Sequence, residues 1–120
     1  DKGFFLMIEG SQIDWGGHDN NVPYIVTEML DFDQTVGEVL KFASKDKETL
    51  VVVTADHETG GFSINGGDVS NGVVEGKFTT GGHTGVMVPI FSYGPKAELF
   101  SGTMENADIF YKFKEALGWK

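Results

Sequence analysis

The run Phe4-Phe5-Leu6-Met7-Ile8 has no polar face at a period of two, and predicts a strand buried between two layers of a parallel sheet. It ends abruptly at Glu9-Gly10. A second run, Leu50-Val51-Val52-Val53-Thr54-Ala55, is rich in β-branched residues and stops in the same way at Asp56-His57. Between them Val22, Ile25, Val26, Met29 and Leu30 recur at helical spacing, and Val36, Val39, Leu40 and Ala43 do so again. Asp31 and Asp33 stand between the two stripes and read as N-cap residues of a second helix. Strand, helix, helix, strand is a crossover unit, which sets its two strands parallel in one sheet. Glu9, Asp56 and His57 would then share the carboxyl edge of that sheet, where open α/β sheets hold their ligands.

Residues 60–82 change register. Glycines crowd there, with the turn dipeptides Asn65-Gly66 and Asn71-Gly72 and short apolar stretches such as Phe62 to Ile64 and Val73-Val74, so a hairpin-bearing excursion is expected. Val86 to Tyr93 predicts a third strand and Gly94-Pro95 breaks it. Ile109, Phe110, Phe113, Ala116 and Leu117 then stripe a terminal helix with a cap near Thr103. There is no internal repeat or low-complexity tract.

Composition narrows the partners. A chain of 120 residues with 40% apolar content buries one modest core, so one domain or part of one is the bound. Nine basic against 18 acidic residues leave a net charge of -9, which repels nucleic acid and anionic lipid. All nine cations are Lys, so the chain has no guanidinium with which to grip a phosphate through two parallel hydrogen bonds. Cys is absent, which excludes disulfides and thiolate metal sites and is silent on compartment. The start, Asp1-Lys2-Gly3, runs into an apolar segment too short for a signal-peptide core and without a basic leader, and no segment reads as membrane-spanning.

The three His residues, His18, His57 and His83, all stand beside Gly or Asp in predicted loops. Asp14 and His18 are four apart, so a helical turn or a bend at Gly16-Gly17 aims both at one ion. Asp56 and His57 converge only where their strand has ended, because neighbours within a strand face opposite ways. Carboxylate and imidazole without sulfur suit zinc in an open site, while a further carboxylate such as Glu9 suits a harder ion such as magnesium. Each feature alone has a plainer reading: a solvated loop pair for Asp14 and His18, a helix cap for Asp56, a surfacing strand end for Glu9, a backbone-bonded loop residue for His83.

Taken together, Ile8-Glu9-Gly10-Ser11-Gln12-Ile13-Asp14-Trp15-Gly16-Gly17-His18, Thr54-Ala55-Asp56-His57-Glu58-Thr59-Gly60-Gly61 and Gly82-His83-Thr84-Gly85 resemble, in order, three metal-ligand segments of the alkaline phosphatases. The stretch from Tyr93-Gly94-Pro95 to Asn106-Ala107-Asp108-Ile109-Phe110 resembles that family's ending, so the likeness covers nearly the whole chain. The resemblance implies an α/β fold, part of a three-layer α/β/α sandwich with a mixed, mostly parallel sheet. Residues 1–120 would form the C-terminal part of a single domain, with the Gly-rich hairpin at about 60–82. His83 precedes its strand where the other ligands follow theirs, so the strand at about 86–93 should run antiparallel to reach the same edge.

The resemblance further implies two zinc ions and one magnesium ion. Asp14, His18 and His83 would bind one zinc, Asp56 and His57 the other, and Glu9 would serve the magnesium. The activity implied is hydrolysis of phosphate monoesters through a phosphoserine. In the family the nucleophilic serine, a further Asp, a Thr ligand and a phosphate-binding Arg all precede the segment resembling Ile8 to His18; here seven residues do. None of Ser11, Ser44, Ser63, Ser70, Ser92 and Ser101 stands in a context like the nucleophile's. The chain therefore reads as a fragment, inactive by itself, whose unpaired strand edges favour a homodimer or a strand-exchanged oligomer. A periplasmic or secreted location follows from the family alone. Three alternatives stay open: a metal-binding module, a self-associating one, or a relative acting as phosphodiesterase, sulfatase or phosphosugar mutase.

Overall fold

The computed structural model describes residues 3–119. Asp1, Lys2 and Lys120 lie outside them, and with the first two the expected leaderless start. The elements are α1 (Gln12–His18), α2 (Val22–Asp46), β1 (Val51–Thr54), β2 (Glu58–Thr59), β3 (Ser63–Asp68), β4 (Val73–Lys77), β5 (His83–Thr84), β6 (Ile90–Tyr93) and α3 (Asp108–Ala116), with short 3-10 turns at Val69–Asn71 and Ala97–Phe100. The chain divides into two compact units: residues 1–32 with 59–84, and 33–58 with 85–120.

The first unit holds α1, the start of α2 and the β3–β4 hairpin. Asn21 caps α2, its side-chain oxygen accepting from Tyr24 N–H at 3.0 Å, and Pro23 sits in the first turn where a missing N–H costs nothing. The hairpin is antiparallel, from Ser63↔Lys77 to Asp68↔Val73. Its reversal is at Val69–Gly72, with Gly72 in the left-handed region. Asn65-Gly66, expected to be a turn, instead lies within β3: the register steps from Ile64↔Gly76 to Gly66↔Glu75, which leaves Asn65 as the extra residue of a β-bulge.

Asp68 organises the reversal. Its carboxylate accepts from Ser70 Oγ at 2.5 Å, Ser70 N–H at 2.9 Å, Asn71 N–H at 3.3 Å and Asn71 Nδ2 at 2.7 Å. The Ser70 hydroxyl, then the Asn71 side chain, then the two backbone N–H groups favour the charged form, so its pKa falls below the ordinary carboxylate value. A depressed folded pKa contributes stability that is present above the unfolded value and lost as pH falls through the folded one. Carboxyl NMR titration should therefore place the Asp68 midpoint below that of an unfolded reference peptide, and Ser70→Ala should raise it; an unmoved midpoint would contradict this account.

The second unit holds the rest of α2, β1, β6 and α3. Antiparallel pairing of β1 with β6 runs from Val51↔Tyr93 to Thr54↔Ile90, so the third predicted strand is antiparallel, over Ile90–Tyr93 only. Phe100 is buried against Phe113 of α3, with ring centroids 5.0 Å apart. Lys112 Nζ reaches the Leu99 carbonyl at 2.6 Å, and Ser92 Oγ the Ala97 carbonyl at 2.8 Å.

Four further expectations are corrected. Phe4–Ile8 is not a strand: no ladder includes it, and Phe4, Leu6 and Met7 are 66%, 68% and 81% exposed. An apolar run states a demand for burial, whereas a strand is defined by a ladder to a second strand in register. The crossover unit falls with it, since the ladders among the described residues are three two-stranded pairs, and both longer ones are antiparallel. The two predicted helices are one, Val22–Asp46, with Asp31 and Asp33 inside it. Phe32 supplies the missing apolar position between Met29 and Val36 at spacings of three and four, so the stripe never breaks. Finally, α3 starts at Asp108 with Ala107 as its N-cap rather than near Thr103.

No helix among the described residues is long and apolar enough to cross a membrane.

Candidate metal centre

Helix α1 puts Asp14 and His18 one turn apart on the same side, with Asp14 Oδ2 3.4 Å from His18 Nε2. Its seat is set by two glycines. A Cβ on Gly16 would lie 2.8 Å from the Ile25 backbone N, and one on Gly17 would lie 2.9 Å from both the Cβ and the carbonyl O of Thr59. Any side chain there would lift α1 off its neighbours, so Gly16-Gly17 is a close-approach surface rather than a bend.

The third member arrives from β5. His83 Nε2 lies 3.5 Å from Asp14 Oδ1 and 3.2 Å from His18 Nε2, and the two imidazole rings are tilted by 40° with centroids 5.0 Å apart. The loop that delivers His83 also orients His18, because His18 Nδ1 is 2.7 Å from the Gly81 carbonyl. A carbonyl only accepts, so Nδ1 donates there, and Nε2 is the nitrogen turned toward His83 and Asp14. Thr59 Oγ1 in turn donates to Asp14 Oδ1 at 2.5 Å.

These distances fit a metal. Zinc bonds of about 2.0–2.1 Å in tetrahedral arrangement put neighbouring ligand atoms about 3.3–3.4 Å apart. Here the two imidazole nitrogens are 3.2 Å apart, each lies 3.4–3.5 Å from a different oxygen of Asp14, and one ligand atom from each of the three residues can be chosen with all within 4.8 Å of one another. Two imidazole nitrogens and a carboxylate oxygen leave a fourth position open, as catalytic zinc sites do. Side-chain exposures of 35%, 41% and 49% for Asp14, His18 and His83 leave that position within reach of solvent.

The other predicted ligands are placed differently. Asp56 and His57 follow β1 in the second unit, with His57 Nε2 3.5 Å from Asp56 Oδ2 and the Asp56 carbonyl 3.5 Å from Asn106 Nδ2. Among the described residues of that unit no third ligand-type side chain joins them. Glu9 is exposed, just ahead of α1. Thr59 and the Gly81 carbonyl, which fix Asp14 and His18, carry no metal-ligand signature in sequence; the signal available was their position, beside His57 and His83.

The family profile described as alkaline phosphatase matches residues 1–75 and 71–119, two stretches that meet in the hairpin. The chain belongs to the alkaline phosphatase family. It is 34% identical to alkaline phosphatase 3 of Bacillus subtilis, over 96% of this chain and 40% of that protein. With the alkaline phosphatase of Escherichia coli the identity is 35%, over 100% of this chain and 29% of that one. The structure of alkaline phosphatase from the Antarctic bacterium TAB5 superposes with a TM-score of 0.89 at 47% identity, over 98% of this chain and 36% of that one. This match supports the α/β fold. A variant of the TAB5 enzyme is described with magnesium bound in its M3 site. The chain thus spans two fifths or less of the length of these relatives.

Proposed function

We propose that the protein to which this chain belongs hydrolyses phosphate monoesters as a metal-dependent phosphatase, and that Asp14, His18 and His83 hold one zinc ion. The observation that carries this reading is the cluster of two imidazole nitrogens and a carboxylate, with one ligand atom from each within 4.8 Å of the others, in a chain of the alkaline phosphatase family. On the same reading Asp56 and His57 serve a second zinc and Glu9 a magnesium ion. When bound, such ions supply a Lewis acid for the transferring phosphoryl group and lower the pKa of an attacking oxygen. The chain's own residues keep the donors in register: Gly81 holds the His18 ring, and the Gly16-Gly17 surface holds α1 down.

The chain has no Arg, and none of its serines stands in a nucleophile-like context, so it should not turn over substrate by itself. On this reading the two units are parts of a single phosphatase domain, in a three-layer sandwich whose mixed, mostly parallel sheet covers the Phe4–Ile8 run; the location is periplasmic or secreted. Alone, the chain is proposed to bury that run in a homodimer or strand-exchanged oligomer. Light scattering with elemental analysis of the same eluting peak tests both points. The expected result is a dimer or larger species carrying about one zinc per chain, one three-donor site each, with no hydrolysis of p-nitrophenyl phosphate. A zinc-free folded peak would sink the site, and a monomer would sink the self-association.

A further inference from the structure

We propose that Thr59 is a positioning residue for the metal ligand Asp14, its hydroxyl fixing the carboxylate in the orientation that makes the site. The inference rests on the reading of Asp14, His18 and His83 as a zinc site, and deepens it. Thr59 is the one buried polar side chain among the described residues, at 8% exposure. Its hydroxyl donates at 2.5 Å to Asp14 Oδ1, the oxygen 3.5 Å from His83 Nε2, while Asp14 Oδ2 faces His18 Nε2 at 3.4 Å. One oxygen of the carboxylate is thereby tethered, and rotation about the terminal torsion, which is otherwise broad, is restrained.

Thr59 is itself held on two sides. It lies on β2, which pairs with β5, the strand that carries His83, and the adjoining Gly60 N–H donates to the Gly82 carbonyl at 2.9 Å. On the other side it meets Gly17 of α1, the helix that carries Asp14 and His18. The elements bearing all three ligands therefore meet at this residue, and its β-branched side chain has little freedom to drift. A hydroxyl in this position does for a ligating carboxylate what the Gly81 carbonyl does for His18.

Two substitutions separate positioning from packing. Thr59→Val keeps the volume and removes the hydroxyl; Thr59→Ser keeps the hydroxyl and removes the methyl. Zinc affinity of the chain is measured by competition with a chromophoric chelator, and the ligand field by the visible spectrum of the cobalt(II)-loaded chain. Thr59→Val should weaken zinc binding about 10- to 100-fold, as loss of a hydrogen-bond partner to a metal ligand does, and change the cobalt spectrum. Thr59→Ser should restore both. A packing role gives the reverse, with Ser impaired and Val tolerated, and that pattern overturns the proposal. If circular dichroism shows Thr59→Val unfolded, Thr59→Ala against Thr59→Ser isolates the hydroxyl in the same way. Asp14→Asn keeps the failures distinct. Zinc binding that is lost in Asp14→Asn but unchanged in Thr59→Val overturns the positioning role alone, whereas a folded wild-type chain that binds no zinc overturns the site and the role together.

Discussion

His18→Ala is expected to weaken zinc binding by the chain by more than about 100-fold, beyond the loss typical of a residue that merely orients a ligand. The substitution removes an Nε2 donor that lies 3.2 Å from His83 Nε2 and 3.4 Å from Asp14 Oδ2, and leaves two donors where there were three. It also releases the Gly81 carbonyl, whose bond to His18 Nδ1 ties the loop ahead of β5 to α1, so His83 loses a restraint as well. Both effects act in one direction. Equilibrium dialysis against buffered zinc reads the change directly. Glu38→Gln, which touches only the exposed Lys41–Glu38 pair, serves as control and should leave the affinity unchanged. Retention of zinc by His18→Ala at wild-type affinity would remove the cluster from consideration, whatever the family's chemistry.

How such a site can be read ahead of its structure depends on which contacts are local. Asp14 and His18 meet because a helix repeats every 3.6 residues, and a spacing of four encodes that. His83 joins them from 65 residues beyond His18 through a loop bonded at Gly60, Gly81 and Gly82, and nothing in the local pattern of either segment specifies that return. Family likeness supplied it instead. Thr59 was invisible for another reason: a hydroxyl is as often a turn or strand residue as a partner, and only the position of Gly17 against it shows what it faces.

The fold shows the same division. The apolar periods of β1, β6 and α3 each point to an element where one forms, because each is paired or packed within the second unit. The strongest apolar run, Phe4–Ile8, misleads since hydrophobicity measures how much a segment gains by burial and not which backbone conformation it takes. The reading of α2 as two helices failed on a single residue, Phe32, and on two Asp that a long helix accommodates on its exposed face. Asp is a good cap, but it ends a helix only where the apolar stripe ends too.

Phe100→Ala is expected to cost about 3–5 kcal/mol, the usual loss for deleting a fully buried aromatic side chain. Phe100 is 1% exposed and its ring meets Phe113, so truncation removes the side chain to which α3 is docked. Little else can compensate. The other buried apolar residues of the described chain are Ala43 and Val51, both smaller, and the hydrogen bond from Lys112 to the Leu99 carbonyl depends on the same docking. Folded domains are stable by only about 5–15 kcal/mol, so a loss of this size removes a large share of the second unit's stability. Urea unfolding followed by aromatic circular dichroism should show the midpoint collapsing. Phe110→Ala, on α3 itself but 63% exposed, should shift stability by no more than about 0.5 kcal/mol. Equal effects from the two substitutions would mean that Phe100 is not the anchor of this unit. Because Asp14, His18 and His83 all lie in the first unit, zinc binding by Phe100→Ala then reports whether that unit holds its site without a folded neighbour.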